Sequence, residues 1–141
     1  MPRLPPGDAG PRDALKKLAA AAGWFVALLH AWFFVLETFL WRTPFAQASL
    51  QMTAAEAEAT AILAGNQGVY NAVFAAGLGW SLVAKKQDLL RFFLGAIIGV
   101  GIYGAVSARV TILFIQALPA VIALALTSTA GASAGSSTRR D

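Results

Sequence analysis

AGNQGVYN, residues Ala64 to Asn71, lies inside a long apolar run, and its reading decides that of the whole chain. It carries two side-chain amides in succession, Asn66 and Gln67, then Tyr70 and a third amide at Asn71. Hydrocarbon offers these hydrogen-bonding groups no partner, so a segment bound for lipid must turn them toward other helices or a small wet cavity. The stretch points to a helical bundle with polar groups inside it.

Composition agrees. The 141 residues are 57% hydrophobic and only 13% charged, against roughly 25% charged in ordinary soluble domains. A soluble core of this size cannot hide that much apolar surface, so the expected class is an integral membrane protein. The net charge of +4 is accounted for by basic residues that flank the apolar runs. No basic helix face or stacking platform stands apart from them, and nucleic acid is not an expected partner. Cysteine is absent, which excludes disulfides, thiol catalysis and thiolate metal sites.

Residues 1–12 are rich in Pro and Gly and read as a disordered cytoplasmic tail, with Asp13 as the N-cap of the first helix. The apolar run Leu18 to Trp41 is long enough to span the bilayer, and too long for a signal-peptide core. Arg42-Thr43-Pro44 ends it. Thr53 to Glu56 matches a capping box and starts the second helix before the membrane is reached. The expected spans are residues 18–41, 60–84, 89–108 and 110–127, all within one transmembrane domain of residues 13–128. The fourth span carries Pro119, whose missing hydrogen bond the bundle can absorb. Residues 129–141 read as a flexible cytoplasmic tail.

Nine basic residues lie in the two tails and the turn between the second and third spans, against Arg42 and Arg109 on the other side. The asymmetry places both termini in the cytoplasm. Trp24 and Trp80 then fall near the inner interface and Trp41 near the outer one, as an aromatic belt requires. The fold expected is an all-α, four-helix bundle in the cell membrane, crossing it four times.

In that frame the polar residues share a depth. Glu37, Asn66, Gln67, Tyr103 and Gln116 each lie about four to six residues from the outer end of their spans, within the outer half of the bilayer at about 1.5 Å per residue. His30 and Asn71 lie nearer the midplane. Asn66, Gln67, Tyr70 and Asn71 fall on one arc of about 140° around their helix. Glu37, Asn66, Gln67, Tyr70, Asn71, Tyr103 and Gln116 are therefore the candidate ligand-binding pocket. Single amides can simply tie helices together, at about 0.6 to 2 kcal/mol per bond. Glu37 is different, because a charged carboxylate at depth costs at least ~2.5 kcal/mol and must be partnered, hydrated or protonated. Hydration beside Arg42 is the competing reading. The expectation is that Glu37 points into the bundle, within reach of at least one of Asn66, Gln67, Tyr70 or Gln116.

His30, the one histidine, is a candidate proton relay. It lies on the face of Glu37 but about 10.5 Å along the axis from it, too far for one ion to bridge with bonds near 2 Å. No metal site and no cofactor are expected. Gly99 to Gly104 (GVGIYG) fits the dinucleotide fingerprint in letters, but it lies inside an apolar span and not after a strand. Gly95 with Gly99 reads as a helix-packing face, and glycine-rich faces of this kind could seat a second copy or another membrane protein.

The pieces LLHAWFFVLETFLWRTP, GNQGVYNAVFAAGLGW, FFLGAIIGVGIYGA and IQALPA, in that order over Leu28 to Ala120, resemble the family catalogued as domain of unknown function 1304. The resemblance implies a four-helix membrane protein, with the seven candidate pocket residues as motif positions. It implies no activity. The function that the residues favour is a binding or transport-type membrane protein with a small-molecule or lipid-like ligand. The alternatives are an intramembrane enzyme using Glu37 as acid or base on a lipid-like substrate, and an accessory subunit of a larger membrane complex.

Overall fold

The computed structural model describes residues 10–135, and these form five α-helices with two π-helical turns. Helix α1 is Pro11–Val35 and continues through the first π turn, Leu36–Leu40. Helices α2 (Pro44–Leu50), α3 (Ala54–Val83) and α4 (Gln87–Ser107) follow, then the second π turn, Leu113–Ala117, leading into α5, Leu118–Gly135. Three helices are long and apolar enough to cross a membrane: Pro11–Leu40, Gln87–Ser107 and Leu113–Ala132. Helix α3, also 30 residues long, is not among them, because Asn66, Gln67 and Asn71 interrupt its apolar run.

Local chemistry explains most boundaries, and some differ from those expected. The first helix starts at Pro11, with the Gly10 carbonyl accepting from Asp13 and Ala14. Asp13 is thus a first-turn residue and not the N-cap, since Pro at the first helical position needs no N–H partner. The tail expected at residues 1–12 is helical from Pro11 on; residues 1–9 lie outside the described part. At the other end α5 runs to Gly135, past the tail boundary at residue 129, and residues 136–141 lie outside the described part. The Thr53–Glu56 capping box forms in full. Thr43-Pro44 stops one helix and starts the next, Thr43 capping α2 and Pro44 occupying its first turn. The second π turn lies just before Pro119, where the Leu118 N–H reaches back to the Leu113 carbonyl. Pro119 has no N–H to give to Ile115, and the widened turn absorbs that loss.

The chain folds as two compact units, residues 24–93 and a second made of the described residues up to Gly23 with those from Leu94 on. In the first, α3 buries a seam of small residues, Ala57, Ala61, Ala64, Gly68 and Asn71, at spacings of three and four. Such a seam lets another helix approach closely. At the C-terminal end of α3 the ring of Phe93 lies where a Cβ on Gly77 would be. In the second unit Gly101 of α4 meets the π turn, where an added Cβ would lie 3.0 Å from the Ala117 backbone nitrogen.

Candidate functional site

The chain just beyond the first π turn is tied to the start of α3 by two polar contacts. The Trp41 indole N–H donates to Thr60 Oγ1 at 3.1 Å, and Arg42 donates to both carboxylate oxygens of Glu58, at 2.6 and 3.1 Å. The hydrogen bond from Arg42, and then its charge, hold the Glu58 carboxyl below its ordinary value, while Glu58 raises the Arg42 guanidinium. Both side chains are exposed, so this pair sets register more than stability.

From that anchor the first π turn crosses α3 at Gly68. A Cβ there would collide with Thr38 Oγ1 and lie 3.2 Å from Glu37 Cβ and 3.3 Å from the Phe34 carbonyl oxygen. Only glycine permits the approach. One turn further along α3, Asn71 Nδ2 donates to Glu37 Oε2 at 2.7 Å. Asn71 is 2% exposed, and its Oδ1 has no hydrogen-bond partner. The buried Thr38 Oγ1 has none either. A half-buried carboxyl therefore sits beside two buried oxygens with unused hydrogen-bonding capacity. Thr38 is not among the residues expected, although its place next to Glu37 was a usable signal.

His30 is fully buried, its Nδ1 donating to the Val26 carbonyl at 2.9 Å. That bond fixes the tautomer and leaves the lone pair on Nε2. Phe33 and Phe74 meet the ring edge-on, with centroids 5.7 and 5.8 Å away.

The remaining candidates are placed differently. The α3 residue that meets Glu37 is Asn71, because it lies on the buried seam. Asn66, Gln67 and Tyr70 fall off the seam and are exposed, with no side-chain hydrogen-bond partner among the described residues. Tyr103 and Gln116 belong to the other compact unit. Tyr103 is exposed on α4, and Gln116 is buried within the second π turn. Among the described residues no group of three or more His, Asp or Glu could hold a metal ion.

An all-α chain with membrane-length apolar helices, and a carboxyl–amide pair where two of its helices cross, defines the class. The chain belongs to the family described as Protein of unknown function (DUF1304), whose model matches residues 24–128. No curated protein and no solved structure matches it.

Proposed function

We propose that this is a multi-pass protein of the cell membrane, of binding or transport type, whose polar site centres on Glu37 and Asn71. In this reading α3 crosses the bilayer along with the three more apolar helices, making four spans with both termini cytoplasmic. The nine-to-two distribution of basic residues supports the orientation. The contacts of Trp41 and Arg42 with the start of α3 support antiparallel neighbours joined on the outer side. Asn66, Gln67, Tyr70, Tyr103 and Gln116 are the further polar groups assigned to the outer half of the bundle.

One observation carries the binding assignment. Buried polar atoms in proteins are nearly always paired, yet Asn71 Oδ1 and Thr38 Oγ1 are both unpaired beside a carboxyl group. Three oxygens with unused capacity suit a small ligand that presents hydrogen-bond donors or a positive charge, its remainder free to be lipid-like. Native mass spectrometry of the gently extracted protein tests this. A co-purifying small molecule, lost in Glu37→Leu and in Asn71→Leu, is the expected result. A ligand retained by both folded variants, or none on the wild type, overturns it. Reporter fusions at the two ends test the topology separately, and either end found outside overturns the orientation.

A further inference from the structure

The turn between α3 and α4 opens a cleft of about 630 Å3, lined by Trp80, Lys85, Lys86, Gln87, Asp88 and Leu89. Two backbone hydrogen bonds fix its shape. The Lys86 N–H donates to the Ser81 carbonyl at 2.9 Å and the Lys85 N–H to the Leu82 carbonyl at 3.3 Å, the pattern that closes a helix on a left-handed residue. Lys85 is that residue, with φ 54°, at a place where glycine is the usual occupant. Lys85 and Lys86 are both exposed, and neither is ion-paired with a described residue. Asp88, the acid in the cleft, accepts from Arg91 Nη1 at 3.3 Å. Three cations, Lys85, Lys86 and Arg91, against this one carboxylate leave the turn a net charge of +2.

This charge stands at the edge of apolar surface. Gln87 is the first residue of a helix long and apolar enough to cross a membrane, and Trp80, Val83 and Phe92 are exposed on either side of the lysines. We infer that the cleft seats the headgroup of an anionic phospholipid, its phosphate held by the Lys85 and Lys86 ammonium groups. Lysine binds phosphate as a point charge, and an exposed tryptophan is suited to headgroup level, where one part of the ring is dry and the other wet. The apolar flanks decide between a lipid and any other anion. A soluble acidic partner would leave Val83 and Phe92 uncovered, whereas a phospholipid brings its acyl chains to them with its phosphate. In the orientation proposed above the turn faces the cytoplasm, the side on which the membrane surface is negative. Neither Glu37 nor Asn71 takes part, so this site stands apart from the polar site of the bundle.

The backbone of Lys85 makes the test clean. Lys85→Gly removes the ammonium group in a conformation that glycine adopts freely, so lost binding is not lost folding. The full chain, stripped of lipid in detergent, is offered phosphatidylglycerol and phosphatidylcholine in equal amounts, and the retained lipids are counted by native mass spectrometry. Preferential retention of phosphatidylglycerol is expected. The preference should fall about five-fold in Lys85→Gly and again in Lys86→Gln, the factor that one lysine near an anionic surface supplies. Lys17→Gln removes an exposed, unpaired lysine of α1 outside the cleft and should leave the preference unchanged. No preference on the wild type, or an equal fall in Lys17→Gln, overturns the site. Release of the lipid by inorganic phosphate also overturns it, because the cleft would then take a free anion and not a headgroup.

Discussion

The π turn at Leu36–Leu40 seats on Gly68 of α3, and the π turn at Leu113–Ala117 seats on Gly101 of α4. Each widens a long apolar helix by one residue at a close crossing, and each carries one long polar side chain, Glu37 or Gln116. Their surroundings differ. The second turn borders an apolar groove lined by Ile98, Ile102, Phe114 and Leu118. The first holds a carboxyl bonded to Asn71, with the unpaired Thr38 hydroxyl beside it. A π turn over glycine is thus a packing device that tolerates either chemistry. The unpaired oxygens, and not the turn, mark the first as the candidate site.

Alanine at the two glycines gives the largest effects and separates the crossings. Gly68→Ala and Gly101→Ala should each lower stability by about 1 to 3 kcal/mol through overpacking, read as the unfolding midpoint in detergent. At Gly68 the main obstacle is the Thr38 hydroxyl, so adding Thr38→Ala should restore much of the loss. At Gly101 the obstacles include the nitrogen and Cα of Ala117, and no side-chain truncation should rescue it. Equal rescue at both sites would mean the crossings are not held as described.

Substitution of the carboxyl comes next. Glu37→Leu leaves the Asn71 amide with no partner and should cost about 1 to 2 kcal/mol, within the range for a buried donor left unpaired. Glu37→Gln keeps an acceptor and should cost clearly less. A Leu variant as stable as the Gln variant would show that Asn71 does not depend on Glu37. Thr38→Val should be smaller still, within about 1 kcal/mol and neutral or stabilising, because it removes a buried hydroxyl that has no partner. If it also weakens ligand retention, the hydroxyl belongs to the binding site.

The Arg42–Glu58 pair gives the smallest effect and a pH signature. Arg42 holds the Glu58 carboxyl below its ordinary value of 4.5, so the pair's contribution is present above that value and is lost as pH falls through the lower folded one. Glu58→Gln should therefore lower the unfolding midpoint slightly at neutral pH, with the difference closing in acid and at high salt. A difference that grew in acid would contradict the assignment.

How much of this the sequence disclosed depends on the residue. The Thr53–Glu56 box and the long helices were legible because caps and apolar length act locally. Helix α2 was missed because Thr43-Pro44 was read only as a stop, although the same pair is a cap followed by a first-turn proline. The π turns left no mark, since one added residue scarcely disturbs an all-apolar pattern. The partition of the amide face is more instructive. Periodicity put Asn66, Gln67, Tyr70 and Asn71 on one arc but could not say which edge is buried, because the neighbouring helix decides that. The small residues Ala57, Ala61, Ala64 and Gly68 at alternating spacing were the clue, and they lead to Asn71.

The candidate site stands on one orientation, Glu37 turned toward Asn71. Solid-state NMR in bilayers measures it, by distance-dependent dephasing between carboxyl-13C glutamate and side-chain-15N asparagine. The chain has three Glu and two Asn residues, and among these side chains Glu37 and Asn71 are the pair joined by a hydrogen bond. One strong coupling at hydrogen-bonding range is expected, abolished in Asn71→Leu and unchanged in Asn66→Leu. No coupling, or a coupling that survives Asn71→Leu, would contradict it.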